Sequence, residues 1–425
     1  MARLDYRHKT FLKIWLLAIV IVLSLILLTA CNSNSGTYDL SNVENVDQIT
    51  SSASSSLTGF IRKALIGLND KVGNFGWTVV VFTVILRLIL SPLDIWQKIV
   101  ARKNAKAMQR MKPQLEALQA KYGDDKQRLQ MEQQQLYKKE HYSMLGACLP
   151  TIITLVVFFL VFAGFRDMVG YQFAKDYQTS RDTYYEEYNA SLKEKYDELG
   201  VAYTIIEDGV VKANADQDLV KISQADAYAV DNAQTAVKEQ YNSDSARSMR
   251  GWIYIKKADK YLINNIFVQD GWKTSVPEYT FITGQSGFAT ARVVGFTADE
   301  YNTIMAKVIG TGGWGKNGKW NGLLILPILS IVVGFFSQRL AQKAQGQPPA
   351  QTAGSNQGTM KMMQYFMPIM IGVFALLYSG AFTIYMFVSS LMAILFQLTF
   401  NIIGYLVDLK RGEAAPISFK SKKKD

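Results

Sequence analysis

The stretch Trp77-Thr78-Val79-Val80-Val81-Phe82-Thr83-Val84-Ile85-Leu86-Arg87-Leu88-Ile89-Leu90-Ser91-Pro92-Leu93-Asp94 decides the fold. Apart from Arg87 and the closing Asp94 it carries no charge. At about 1.5 Å rise per residue, roughly 17–20 such residues cover about 25–30 Å, close to a bilayer core. The run is therefore a membrane span, 76–95, and Arg87 sits inside it. Four more segments of this kind follow, at 146–165, 321–338, 362–378 and 381–407. The third and fourth are short, which predicts local thinning of the membrane or tilting of their neighbours.

The segments between the spans set their orientation. Segment 96–143 holds 11 Lys/Arg against 5 Asp/Glu, and the chain closes on Lys420-Ser421-Lys422-Lys423-Lys424. Segment 166–320 holds 18 Lys/Arg against 21 Asp/Glu, a net of −3, so the rest of the +11 chain carries +14. Basic loops stay in the cytoplasm. This places 96–143, 339–361 and the tail 408–425 inside and 166–320 outside, giving five mature spans with an external N-terminus and a cytoplasmic C-terminus.

Composition agrees with two unlike parts. The 425 residues are 49% hydrophobic and 19% charged, and the mean hydropathy of +0.04 averages an apolar bundle with polar segments. Two cysteines exclude a disulfide scaffold or a Cys-rich metal site. Two histidines, His8 and His141, argue against a His-based metal centre or a Ser-His-Asp triad. Hydrolases and metalloenzymes are disfavoured, and neither a cofactor nor a small-molecule substrate is implied.

The amino end reads as an address. Arg3, Arg7, Lys9 and Lys13 precede an apolar run from Ile14 to Leu28, which ends in Leu28-Thr29-Ala30-Cys31. This pattern is that of a bacterial lipoprotein signal, 1–30, with Cys31 as the acylated new N-terminus; the alternative is an uncleaved anchor helix. Residues 31–56, rich in Ser and Asn, are expected to be an extracytoplasmic tether. Within 57–75, Ile61, Ala64, Leu65, Leu68 and Val72 recur at helical spacing opposite Arg62, Lys63, Asn69 and Asp70, as in an interfacial amphipathic helix.

Segment 96–143 predicts a cytoplasmic helical hairpin. Met108, Met111, Leu115, Leu118 and Tyr122 form a stripe, Gly123-Asp124-Asp125 a turn, and Leu129 and Leu136 the stripe of the return arm. Pro113 should kink or restart the first arm. Such a hairpin is either a solvated antiparallel coiled coil or a dock for a protein or membrane surface. The outer segment 166–320 predicts an inserted α+β domain, with helices in 171–199 and 225–242. A β-hairpin is expected at Tyr203 to Lys212 and β-rich structure at 276–297.

Three patterns look like sites and are not taken as such. Gly310-Thr311-Gly312-Gly313-Trp314-Gly315-Lys316-Asn317 nearly matches a phosphate-binding loop but has Asn317 where Ser or Thr belongs and no preceding strand; a flexible loop is expected. Gly284-Gln285-Ser286-Gly287 resembles a serine-protease motif without a base. Cys148 reads as a packing residue.

Arg87 is different. It keeps its proton, and near mid-helix it costs roughly 2.5–3.5 kcal/mol to insert. The other four spans contain no Asp or Glu. Either Arg87 snorkels to the cytoplasmic headgroups, or it provides a fixed positive charge in a hydrated pocket, lined by Thr83, Thr154, Ser389, Gln397 and Asn401.

The pattern resembles the YidC family of membrane protein insertases, which includes the mitochondrial oxidase-assembly and chloroplast Albino proteins. The resemblance rests on several stretches: Asn74-Phe75-Gly76-Trp77 through Arg87 to Ser91-Pro92-Leu93, Met111-Lys112-Pro113 to Lys121-Tyr122-Gly123-Asp124-Asp125, and Leu136-Tyr137-Lys138-Lys139. To these add Leu145-Gly146-Ala147-Cys148-Leu149-Pro150, Leu326-Pro327-Ile328-Leu329, Met362 to Pro368, Ser379-Gly380 and Tyr385. There are departures. Thr154 stands where the family usually has Gln, and Met386, Ser389 and Ser390 stand where aromatic and Asn residues are usual. Ser143-Met144 replaces Asn-Pro, and the loop before span three is long, with Trp252 to Asp270 as its family portion.

The resemblance implies an all-α polytopic fold, a five-helix transmembrane bundle with the cytoplasmic hairpin and the inserted extracytoplasmic domain, in the bacterial plasma membrane. It implies a non-enzymatic function: a groove open to cytoplasm and lipid receives a nascent membrane protein, and Arg87 attracts acidic residues of its translocated tail. The hairpin would recruit clients or the Sec translocon. The basic tail would contact ribosomal RNA or serve only as a topological anchor. Two other classes compete. A secondary transporter predicts repeated halves and an intramembrane acid; a lipid-anchored structural or adhesion protein would place function in 166–320 and leave Arg87 dispensable.

Overall fold

The computed structural model describes residues 37–44, 46–49, 57–140, 144–206, 209–285, 292–344 and 372–410. The expected lipoprotein signal with Cys31, most of the expected loop 339–361, the start of the expected span four and the end of the basic tail lie outside these residues. The chain forms strand β1 (Thr37–Asp39), helices α1 (Leu57–Val72), α2 (Phe75–Tyr122), α3 (Lys126–Lys139) and α4 (Met144–Leu199), and strands β2 (Tyr203–Ile205) and β3 (Val211–Ala213). Then come α5 (Leu219–Tyr241), α6 (Asp244–Arg250), β4 (Trp252–Ile255), β5 (Lys260–Ile263), α7 (Tyr279–Ile282), β6 (Arg292–Val294), α8 (Ala298–Ile304), α9 (Ile325–Ala344) and α10 (Gly380–Lys410). The protein is thus mostly helical.

Among the described residues, three helical segments are long and apolar enough to cross a membrane: Phe75–Tyr122, Val156–Leu199 and Gly380–Val407. Ile325–Ala341 is a shorter apolar helix. Their apolar side chains are not consumed by internal packing. Ile85, Leu88 and Ile89 on α2 and Leu395, Ile402 and Ile403 on α10 are exposed, an arrangement water does not tolerate over such lengths. α4 runs on without a break from span two through the helix-prone stretch 171–199.

Two compact units divide the chain. The first holds residues 1–82, 153–329 and 372–385. Its central feature is an ion cluster that the helical pattern did not predict: Arg62, assigned to the polar face of α1, is buried together with Asp167 of α4 and Tyr38 of β1. Arg62 Nη1 lies 3.1 Å from Asp167 Oδ2 and also donates to the Tyr38 hydroxyl, which in turn donates to Asp167 Oδ1 at 2.8 Å. A charge this deep needs such partners. α1 can approach α4 because Gly164 has no side chain: a Cβ there would stand 2.6 Å from Ile61 Cγ2. Residues 37–39, inside the stretch expected as a tether, pair in parallel with Arg292–Val294.

The expected hairpin is present, Tyr203 opposite Ala213 and Ile205 opposite Val211. It packs with α4 and α5 around Leu192, Tyr196, Val201, Ala225 and Ala229. The 276–297 stretch forms less strand than its composition suggests, with Arg292–Val294 as its strand and Tyr279–Ile282 a helical turn. Asn321 is a buried hub: its side chain accepts from Asn265 N at 2.7 Å and donates to the Asn265 and Gln269 carbonyls at 2.6 and 2.9 Å. Next to it, the Asp270 carboxylate accepts from Leu324 N and Leu326 N and so starts α9. Burial raises the Asp270 pKa above the ordinary carboxylate value. The glycine-rich loop 310–318 is a pinned turn rather than a loose loop, held by paired backbone bonds between Trp314 and Trp320 and by Lys260 Nζ on the Gly313 carbonyl.

The second unit holds residues 83–152, 330–371 and 386–425. Its hairpin follows the predicted stripes: Ala107, Met111 and Leu115 of α2 bury against Leu136 of α3, with Met108, Leu118 and Tyr137 around them. Asp125 caps α3 by accepting from Arg128 N at 3.0 Å. The expected restart at Pro113 is absent: α2 is one helix through both Pro92 and Pro113. Each proline removes one backbone donor, so the carbonyls of Leu88 and Gln109 lose their helical partner, a local cost that the flanking turns and the packed stripe offset.

Candidate functional site

The site lies in the second unit, where α2 meets α10. Arg87 projects from the middle of the apolar run of α2 and is half-buried. Its Nε donates to Ser389 Oγ at 2.8 Å, and Nη2 donates to the same hydroxyl. Ser389 is itself buried on α10. A single hydroxyl cannot neutralise a guanidinium, so Ser389 leaves the positive charge of Arg87 in place. Thr83, one helical turn before Arg87, is fully buried.

Further along the same helices a second polar set forms. Lys98 Nζ donates to Gln397 Oε1 at 2.7 Å, and Gln397 Nε2 donates to Asn401 Oδ1 at 2.8 Å. Gln397 is buried and Asn401 exposed. Still further, α10 has Gly404, where a Cβ would stand 2.4 Å from Arg102 Nη1, so the glycine leaves room for that guanidinium. The face that α2 turns to α10 is therefore basic at three levels, Arg87, Lys98 and Arg102. α10 answers it with neutral hydroxyl and amide groups.

The structure brings Arg87 and Ser389 together, and joins Gln397 to Asn401. Thr154 lies on α4 at a position whose side chain is outside the described residues, as is Cys31 altogether. Sequence reasoning missed Asp94. It looked for acids in the other spans, but the carboxylate is on Arg87's own helix: Asp94 Oδ2 lies 3.9 Å from Arg87 Nη1, and both side chains are mostly buried. The signal was available. Seven residues are nearly two turns of an α-helix, so positions 87 and 94 share a face. Lys98, four further on, continues that face.

The fold and site define a helical membrane protein that holds an arginine between two apolar helices. The model of the family described as "60Kd inner membrane protein" matches residues 67–201 and 280–404. The chain belongs to this family, the YidC family, and with its apolar helices is a multi-pass bacterial inner-membrane protein. It is similar to proteins named membrane protein insertase YidC. Identity is 33% over 125 residues to that of Stenotrophomonas maltophilia (strain K279a), 28% of this chain and 21% of the relative. It is 36% over 103 residues to that of Fusobacterium nucleatum subsp. nucleatum, 24% of this chain and 48% of the relative. It is 38% over 98 residues to that of Bordetella pertussis (strain Tohama I), 22% of this chain and 16% of the relative. The matched stretch therefore spans less than half the length of these curated relatives.

Proposed function

We propose that this protein is a membrane protein insertase and chaperone: it receives nascent membrane proteins and releases them into the bilayer without covalent chemistry. One observation carries the reading: Arg87 is held by Ser389 between two apolar helices, and the groups α10 turns to it and to Lys98 are neutral. A fixed charge at that depth is expensive unless it is used. Its use here is to attract an acidic residue in the translocated tail of a client. Transfer of roughly 20 apolar client residues from water to lipid, at about 25 cal/mol per Å² buried, then drives release. No nucleotide is needed.

The finer parts of the proposal follow from charge and pattern. The chain crosses the membrane five times after cleavage at Cys31, starts outside and ends in the cytoplasm, and is anchored by acylation of Cys31. Thr83, Thr154, Ser389, Gln397 and Asn401 line a hydrophilic groove around Arg87. The α2–α3 hairpin recruits clients alone or with the Sec translocon, and the basic tail meets ribosomal RNA. The test is reconstitution of the full chain in liposomes with a small single-span client bearing an acidic tail. Insertion above the protein-free rate is expected; no insertion of any client by correctly oriented protein refutes the reading.

A further inference from the structure

Arg87, Asp94 and Lys98 form a plus–minus–plus ladder on one face of α2. The 3.9 Å approach of Asp94 to Arg87 is the ladder's upper rung. Helical geometry puts Asp94 about 10 Å and Lys98 about 16 Å along the axis from Arg87. α10 engages both basic ends, Ser389 at Arg87 and Gln397 at Lys98, but no hydrogen bond to Asp94 from α10 is seen among the described residues. The carboxylate is thus held at a distance that gives attraction without a tight hydrogen-bonded pair. The buried Arg62–Asp167 pair of the same chain, by contrast, closes to 3.1 Å.

We propose that Asp94 is an internal stand-in for the client's acidic residue: it partly neutralises Arg87 in the empty protein and sets how acidic a client tail must be to displace it. The proposal rests on the insertase reading and deepens it. Arg87 then has two exchanging carboxylate partners, Asp94 and the client. The chain's preference is the difference between them. A weakly acidic tail competes poorly against a resident carboxylate on the same helix, whereas several acids in one tail win by number. Asp94 is a positioning and selectivity residue. It does not itself hold the client.

The experiment uses the full chain in nanodiscs and in proteoliposomes, as wild type, Asp94→Asn and Asp94→Glu. The probes are single-span peptides that differ only in carrying zero, one or three acids in the tail. In nanodiscs, Asp94→Asn should bind the one-acid peptide about 30-fold more tightly, because the unopposed Arg87 charge acts on it. The acid-free peptide should be unaffected, and Asp94→Glu should behave as wild type. Unchanged affinity for the one-acid peptide, or an equal gain for the acid-free one, overturns the proposal. Insertion in proteoliposomes reports separately on the underlying reading. Binding that follows this pattern without insertion by the wild type would refute the insertase function while leaving the Asp94–Arg87 competition intact.

Discussion

Replacing Arg87 by alanine gives the sharpest test of how charge acts in this site. A client carboxylate about 4 Å from the guanidinium is attracted by about 4 kcal/mol at an effective dielectric near 20. The same carboxylate about 7 Å from Asp94 is repelled by about 2 kcal/mol. The net attraction in the intact protein is therefore about 2 kcal/mol, or about 30-fold in capture. Arg87→Ala removes the attraction and leaves the repulsion, so an acidic-tailed client should lose more than 30-fold. The double variant Arg87→Ala/Asp94→Asn removes both and should lose only about 30-fold, so it performs better than the single variant on acidic tails. The assay is the initial insertion rate into proteoliposomes at client concentrations well below saturation, with matched acidic and neutral tails. Higher ionic strength should shrink every one of these differences where the site is hydrated. Equal losses for acidic and neutral tails in Arg87→Ala would show that the arginine supports the fold rather than captures charge. A double variant no better than the single would remove Asp94 from the scheme.

Other expectations concern the first unit. Asp167→Ala leaves Arg62 buried without its counter-ion and leaves the Tyr38 hydroxyl only the backbone carbonyl of residue 167 as acceptor, which should cost about 3–5 kcal/mol. Thermal unfolding of the detergent-solubilised protein should fall by several degrees, and a protease should cut near residues 37–49 sooner. Gly164→Val would drive a side chain into Ile61 and should destabilise by about 1–3 kcal/mol, read in the same melt. Burial, the largest cause, raises Tyr241 to about 12, with Asp176 adding to the shift and Arg250 opposing it. The protonated phenol is then favoured in the folded state, so stability is full below pH about 10 and is lost as pH rises from 10 towards 12. Alkaline titration should show tyrosinate absorbance appearing together with unfolding. Ionisation of all tyrosines near pH 10 with the fold intact would contradict the burial argument.

What was legible in the sequence is what local physics controls. The apolar runs, the hairpin stripe of Met108, Met111 and Leu115, the 203–212 turn and the strangeness of Arg87 all follow from spacing and hydropathy within a few turns of chain. What was not legible depends on distant partners. Arg62 falls on the polar face of α1 by periodicity, and only Asp167 and Tyr38, brought from elsewhere in the chain, make its burial tolerable. Strand β1 needs Arg292–Val294 as its partner, and nothing in a Ser- and Asn-rich stretch announces a parallel pair so far away. The continuity of α4 past residue 165 was hidden because hydropathy falls there while helix propensity does not.

Asp94 is the instructive omission, because it was not hidden by distance at all. It closes the apolar run that decides the fold, and it was counted as the end of a span. Helical geometry places it on Arg87's face whatever the rest of the chain does. The consequence reaches function. If Arg87 were unopposed, any acidic tail would be captured strongly, and release would have to overcome the full attraction of about 4 kcal/mol. A carboxylate two turns away lowers both the affinity and the cost of letting go. It also offers Arg87 a partner to return to when the client leaves. On the proposed insertase function, binding and releasing every client gains from that balance, which makes the pairing of Arg87 with Asp94 a better unit of function than the arginine alone.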